Sequence, residues 1–293
     1  MTRATLPHPK KISLNGTELT YIESGRGSLL VFVHGTLGDY RTWRAQFEEF
    51  SRDYHMVAYS RRFHFPAHWS ESDGEYSVER HSDDLAALIR HFSDDASHLV
   101  CASWGGNVAL NLALTQPNLV RSMVLAEPPT LPLLEKDPQK KNLLDHFTIN
   151  SLAPARDALI RNEWEIGIQC FIDGVMGRGT YERLPSGVKK YFLQNATELK
   201  GELLSKNYIP DFSEETLSKI NAPTLLLKGD RSPEFFHAIA EILHRSLSSS
   251  RLLTVPMASH GIHADNPSVH NKLVADFLRE VDPDHSPPFR PHD

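Results

Sequence analysis

Short, nearly unbroken apolar runs recur along this 293-residue chain, and stretches with apolar residues three and four apart lie between them. The runs are LLVFVHG (29–35), HMVAYS (55–60), HLVCAS (98–103), VRSMVLAE (120–127), PTLLLKG (223–229) and RLLTVP (251–256). Runs without polar alternation predict strands covered on both faces. The stretches ERHSDDLAALIRHF (79–92), GGNVALNLALTQ (105–116), SPEFFHAIAEILHRSL (232–247) and SVHNKLVADFLREV (268–281) carry the spacing of helices. Ahead of them all, KKISLNGTELTYIESG (10–25) alternates on either side of Asn15-Gly16, the signature of a β-hairpin. Strands alternating with helices in this way predict an α/β domain built on a mostly parallel sheet with helices on both faces.

One region breaks the alternation. From about residue 131 to 219 no strand pattern occurs, while APARDALIRNEWEIGIQCFIDGVMG (153–177) and LPSGVKKYFLQNATELKGELLS (184–205) read as amphipathic helices. A helical insertion of this size between two core strands predicts a cap or lid. The expected division is therefore a discontinuous core of residues 1–130 and 220–282, a helical cap over 131–219, and a loose, Pro-rich tail over 283–293.

Composition narrows the class. The chain is 40% hydrophobic and 23% charged, as in ordinary globular proteins, and its net charge of −6 gives no reason to expect a nucleic acid or an anionic membrane as partner. Neither a signal-peptide pattern at MTRATLPHPK nor a membrane-length apolar run occurs, so the expected location is cytoplasmic. Cys101 and Cys170 form no CxxC pair, which favours reduced thiols over a disulfide or a zinc site.

The candidate chemistry begins at LVCASWGGNVAL (99–110), where an apolar strand runs through Ser103 and the small residues Gly105 and Gly106 into a helix. Such a strand-turn-helix is the context of a nucleophile elbow, and it sets the serine at a helix N-terminus where negative charge is favoured. Cys101 stands where the G-x-S-x-G pattern has its first glycine. The bland alternative is a polar residue at a strand end.

Over residues 10 to 282 the chain resembles the α/β-hydrolase superfamily, and three motifs carry the resemblance. The first is the elbow at Ser103. The second is VHGTLGDYRTW (33–43), which resembles the His-Gly loop of the superfamily; by that resemblance the backbone N–H groups of Thr36 and Trp104 form an oxyanion hole, and His34 is structural. The third is PMASHGIHADNPSVH (256–270): the superfamily's catalytic histidine has an acid five residues on and a proline seven on, positions that Asp265 and Pro267 fill for His260 and that His263 does not match.

The acid departs from the usual pattern. Three residues after Gly229, where most members carry it, stands Ser232. Two candidates remain, Glu127 at the end of SMVLAEPP and Asp230 in LLLKGDRSP. Some relatives, including certain haloalkane dehalogenases and zearalenone-type lactone hydrolases, keep the acid after the strand that follows the nucleophile, which ranks Glu127 ahead of Asp230. Pro128 is expected to hold Glu127 extended.

Where many relatives have Asp-x-Arg-Gly-x-Gly, this chain has SRRFHFP, with Phe63 and Phe65 in place of both glycines. Trp104, Phe63, Phe65 and the cap residue Trp164 are expected on the pocket wall, with Phe171 and Phe192 closing it from above; their spacing fits cap core equally well. Arg61 and Arg62 read as a paired or solvated doublet, with attraction of an acidic substrate as the alternative. A serine at the elbow argues against chemistry that uses a carboxylate nucleophile. No P-loop or complete dinucleotide fingerprint occurs, and His64 with His68 is an isolated pair without further metal-like ligands. Together these features predict a cofactor-free, metal-free serine hydrolase with a small, apolar ester or lactone as partner. The alternative is a ligand-binding or sensor protein on the same fold with an idle triad.

Overall fold

The computed structural model describes residues 6–206 and 209–283. Eight strands form one sheet in the order β1-β2-β4-β3-β5-β6-β7-β8. They are β1 (Lys10–Leu14), β2 (Thr17–Ser24), β3 (Leu29–Val33), β4 (His55–Tyr59), β5 (Ser97–Ala102), β6 (Val120–Ala126), β7 (Thr224–Gly229) and β8 (Ser250–Val255). The pairs β1·β2 and β2·β4 are antiparallel; every other pair is parallel. Asn15 and Gly16, with φ of 47° and 72°, make the turn between β1 and β2, as a hairpin turn with two left-handed residues requires.

Strand β3, in the middle of the sheet, is buried on both faces because helices cover both. On β3, Leu29, Val31 and Val33 join one hydrophobic cluster while Leu30 and Phe32 join the other. The first cluster includes helices α1 to α3 only in part: α2 (Val78–Phe92) and α3 (Trp104–Thr115) lie there, whereas α1 (Arg44–Phe50) packs on the opposite face. Local caps set the boundaries. The Ser77 hydroxyl accepts the Arg80 amide at the start of α2, at 3.4 Å.

Between β6 and β7 the described chain is helical: α4 (Pro132–Glu135), α5 (Lys141–Phe147), α6 (Ala153–Ile160), α7 (Trp164–Met176), α8 (Thr180–Arg183), α9 (Ser186–Gln194), α10 (Ala196–Leu204) and α11 (Glu214–Leu217). The two long amphipathic stretches expected here are each split. Asn162, at φ 59°, separates α6 from α7, and Asn195 separates α9 from α10. Asparagine reaches the left-handed region at lower cost than most residues, which makes Asn162 a natural break. The chain then adds α12 (Glu234–Ser246) after β7 and, after β8, α13 (Ile262–Asp265) and α14 (Pro267–Val281). Pro267 opens α14 while the Asn266 side chain accepts the Val269 amide at 3.3 Å. No described helix is long and apolar enough to cross a membrane. The tail expected over 283–293 lies outside the described residues from 284 onward.

Candidate active site

The strand ladder itself carries the site residues. Beyond the end of each strand one more backbone bond forms: the Ser103 amide donates to Ala126 O at 2.8 Å, the Glu127 amide to Leu227 O at 3.1 Å, and the Asp230 amide to Val255 O at 3.1 Å. Ser103, Glu127 and Asp230 are thereby fixed side by side at the carboxyl edge of the sheet, where ligands bind in open α/β folds.

Ser103 turns from β5 into α3 with φ 50° and ψ −128°, a region that costs a non-glycine residue about 1–3 kcal/mol. Close packing enforces that turn. A Cβ on Gly35 would lie 2.7 Å from Ser103 Cβ, and one on Gly105 would lie 2.6 Å from the carbonyl oxygens of Val33 and His34. Cys101, two residues upstream, is fully buried in the first hydrophobic cluster.

His260 joins Ser103 to Glu127. Its Nε2 is 2.9 Å from Ser103 Oγ and its Nδ1 is 2.8 Å from Glu127 Oε2. The ring stacks on Phe236, with centroids 4.0 Å apart and planes 12° from parallel, so the imidazole is clamped in the plane that makes both bonds. Glu127 is buried, and its other oxygen accepts the Gly229 amide at 2.8 Å. The expectation that Pro128 holds Glu127 extended is overturned: Glu127 has φ 47°. Its amide is tied to β7 and its carboxylate to Gly229, and together these outweigh the bias from the following proline.

Asp230 does different work. Its Oδ1 accepts the Ala258 amide at 3.1 Å, and the backbone amides of Met257 and Ala258 hold its carboxyl below the usual range. Asp265 Oδ2 likewise accepts the Ser259 amide at 2.9 Å. Both acids brace the loop that carries His260 rather than its ring. His263 packs beside Trp43 at 4.9 Å and makes no bond to Ser103.

The loop after β3 faces Ser103 from the other side. Among the described residues the Thr36 amide has no protein acceptor, and Trp104, as the first residue of α3, has an amide with no carbonyl four residues back to bond. His34 is locked away from this space: Nδ1 donates to Gly35 O at 2.8 Å and Nε2 accepts the Arg61 amide at 2.9 Å. Burial, followed by the Arg61 charge, holds its pKa well below the ordinary value, in keeping with the neutral tautomer these bonds need.

A cavity of about 560 Å³ opens over Ser103 and His260, within the range of small-molecule sites. Its roof is the inner face of α7, where Phe171, Ile172, Val175 and Met176 line up, with Tyr191 and Phe192 of α9 alongside. Phe171 and Phe192 are where the sequence put them. Four other expected wall residues are not. The Trp104 side chain is fully buried beneath the site, with Arg61 over its ring at 4.4 Å and His81 against it at 4.9 Å. Phe63 is buried near Tyr76 and His81, Phe65 lies under the Arg41 guanidinium at 4.1 Å, and Trp164 sits near Lys200 at the far end of α7. Trp104 and Phe63 are buried away from the cavity, and Phe65 and Trp164 are half-buried against the cationic side chains of Arg41 and Lys200. The arginines are paired too: Arg61 bonds His34 O at 3.0 Å and Tyr76 Oη at 3.0 Å, and Arg62 forms a two-point pair with Asp84.

Sequence reasoning missed the residues of α9, of α10 and at Asn195 between them that hold the loop after β3. Tyr191 Oη accepts the Asp39 amide at 2.9 Å, and the Asn195 side chain donates to Asp39 Oδ2 at 2.9 Å. Glu198 accepts the Leu37 amide, and Glu202 accepts the Thr36 hydroxyl at 2.8 Å. The apolar stripe 171, 172, 175, 176 on α7 was a readable signal for the roof. No local pattern marks the acids of α10.

Comparison with known proteins agrees with this architecture. The model of the Alpha/beta hydrolase family matches residues 30–273. Epoxide hydrolase 3 of Mus musculus is 24% identical over 297 residues, covering 95% of this chain and 78% of its own. Among solved structures, Est816, described as an N-acyl homoserine lactone degrading enzyme, superposes with a TM-score of 0.73 at 22% identity, covering 92% of this chain and all of the other (100%). The epoxide hydrolase CorEH superposes with a TM-score of 0.75 at 15% identity, covering 94% of this chain and 99% of its own.

Proposed function

The chain belongs to the α/β hydrolase family, and from that premise we propose that it is a cofactor-free serine hydrolase that cleaves a small, largely apolar ester or lactone. The observation that carries the reading is the unbroken line of hydrogen bonds from Glu127 through His260 to Ser103. A serine so placed uses oxygen-nucleophile chemistry, whereas the carboxylate-nucleophile route to epoxides or alkyl halides has no acid at this position.

In this mechanism Ser103 Oγ attacks the substrate carbonyl carbon as its proton passes to His260 Nε2. The resulting oxyanion is held by the Thr36 and Trp104 amides, and Glu127 compensates the imidazolium through Nδ1–H. The tetrahedral intermediate collapses as the imidazolium protonates the departing alcohol oxygen, leaving an acyl-serine. Water then adds to the acyl carbon, giving a proton to His260; the Ser103–acyl bond breaks, the acid leaves, and the proton returns to Ser103. The helical segment 131–219 serves as the cap, with α7 and α9 closing the cavity over the acyl group. Its apolar lining supports a small hydrophobic substrate as the partner.

Labelling with a fluorophosphonate, followed by mass mapping, tests the nucleophile without knowledge of the substrate. Modification confined to Ser103 and lost in Ser103→Ala supports the proposal. Folded protein that stays unlabelled and turns over no activated ester would sink it and favour a ligand-binding role on the same fold.

A further inference from the structure

Behind the Thr36–Leu37 loop lies a pair of acids that take no part in the line ending at Ser103. Glu198 and Glu202 stand one turn apart on α10 and are 0% and 4% exposed. The oxygens of Glu198 are well supplied with donors: one accepts the Leu37 amide, the other the Tyr76 hydroxyl at 3.1 Å, with His64 Nε2 at 3.4 Å. Glu202 is served on one side only. Its Oε2 accepts the Thr36 hydroxyl at 2.8 Å, and among the described residues its Oε1 has no protein partner.

Glu202 also lines a second, smaller cavity, whose wall includes Thr36, Ser103, Phe171 and Phe236. About 20 Å³ of it is open to the centre of a water-sized group, enough for one water or one small polar substituent. The cavity shares Thr36, Ser103, Phe171 and Val175 with the larger one over His260, so a group seated in it adjoins a substrate held there.

The charges around the pair assign a proton. Arg61 is the cation facing it; Tyr76 is uncharged, and His34, His64 and His81 are kept neutral by burial, followed by the Arg61 charge. Burial raises both carboxyls, and at Glu202 the Glu198 charge raises it further. Glu198, with more donors, keeps the negative charge, and Glu202 keeps its proton at neutral pH. With the Thr36 hydroxyl donating to Oε2, that proton resides on Oε1 as a donor.

We propose that Glu202 is a substrate-recognition residue: its carboxyl donates a hydrogen bond to an acceptor oxygen on the α-substituent of the acyl group, selecting α-alkoxy, α-hydroxy or α-oxo esters over hydrocarbon analogues. The acyl side is assigned because Ser103 and Thr36, which hold the acyl carbon and its oxyanion in the mechanism, form the same cavity wall. This inference rests on Ser103 being the nucleophile of an ester hydrolase.

The test compares nitrophenyl methoxyacetate with nitrophenyl butyrate, which differ by an acceptor-only oxygen in place of a methylene. The readout is the ratio of their kcat/KM values. Comparing this ratio across variants and pH cancels both intrinsic ester reactivity and the ionisation of His260. The wild-type ratio is expected to exceed that of Glu202→Met about tenfold at neutral pH, the worth of one hydrogen bond in a closed site. It should fall towards the Glu202→Met value as pH rises to about 9 and the carboxyl loses its donor. Glu202→Gln, which keeps an N–H donor at every pH, should hold a raised ratio without that fall; it also decides the matter if Glu202→Met does not fold. A ratio that is the same in wild type and variants and flat with pH overturns the inference while leaving the hydrolase intact. Folded wild type that turns over neither ester and takes no fluorophosphonate label overturns the hydrolase reading itself.

Discussion

The carboxyl edge of the sheet and the helical segment 131–219 meet across one cavity, yet they are held by different forces. At the sheet edge the positions of Ser103, Glu127 and Asp230 are set by backbone bonds that extend the ladder one residue past each strand. In the helical segment, α7 contributes an apolar face, whereas α9 and α10 are tied to the loop after β3 through the side chains of Tyr191, Asn195, Glu198 and Glu202. Backbone placement needs no particular side-chain partner, only the room that Gly35 and Gly105 leave at the Ser103 turn. Side-chain placement fails when one partner is removed. Chemistry should therefore respond to substitutions at the sheet edge, and loop stability and selectivity to those in the helices.

The strongest way to break that contrast is at the two neighbouring acids. Glu127→Gln is expected to lower kcat/KM on an activated ester by about 10³–10⁴, because the amide no longer compensates the imidazolium. Asp230→Asn, which keeps an oxygen for the Ala258 amide, should stay within about threefold. Stopped-flow or plate kinetics on both variants decide it, and the reverse order would hand the role to Asp230.

In the helical segment the largest effect should be on stability. Glu198→Ala leaves the Leu37 amide and the Tyr76 hydroxyl without their buried acceptor and Arg61 without its counter-charge, and is expected to cost about 3 kcal/mol in urea unfolding. A loss below about 1 kcal/mol would mean that apolar packing, not this pair, anchors α10.

The dependence of stability on pH sharpens the contrast further. Buried His34, His64, His81 and His270 have folded pKa values below the unfolded one, His270 near about 4. The unfolded chain therefore binds more protons in that window, and stability rises with pH up to about 6.5. Glu198 and Glu202 have the opposite sign: folded pKa values above the unfolded ones mean the folded chain binds more protons, so stability falls as pH climbs from the ordinary carboxylate range through the raised values. Thermal melts across pH should trace a maximum near neutrality, and Glu202→Gln should flatten the alkaline limb while steepening the acid limb above the ordinary carboxylate range. An unaltered alkaline limb would contradict the raised carboxyl.

The smallest effects should separate the two ends of α7. Phe171→Ala should raise KM for an aryl ester about fivefold by removing cavity wall, whereas Trp164→Ala should change it by less than about twofold. Equal effects at both positions would return Trp164 to the pocket.

How much of this was legible follows from the range of each signal. Ser103 and His260 could be read because their evidence is local: a strand-turn-helix on one side, fixed offsets to Asp265 and Pro267 on the other. Glu127 was legible through resemblance and through the hydroxyl of Ser232 at the usual acid position, but its left-handed φ was not, since that comes from bonds to β7. The aromatic residues Trp104, Phe63, Phe65 and Trp164 were read as pocket wall because residue type reports burial, not the direction in which a buried ring points. The long amphipathic stretches were read as continuous because periodicity survives across Asn162 and Asn195.

By itself the sequence determined the alternation of strands and helices, the hairpin at Asn15-Gly16, the interruption between β6 and β7, and the turn that exposes Ser103. All of these depend on patterns a few residues long, which propensity and periodicity register directly. Only the tertiary structure decided that Glu127 rather than Asp230 faces His260, that Glu198 and Glu202 lie under Thr36 and Leu37, and which aromatic residues line the cavity. Those contacts join residues about 100 or more positions apart in the chain, and their partners are selected by packing and by the need to satisfy buried polar groups, neither of which leaves a local mark.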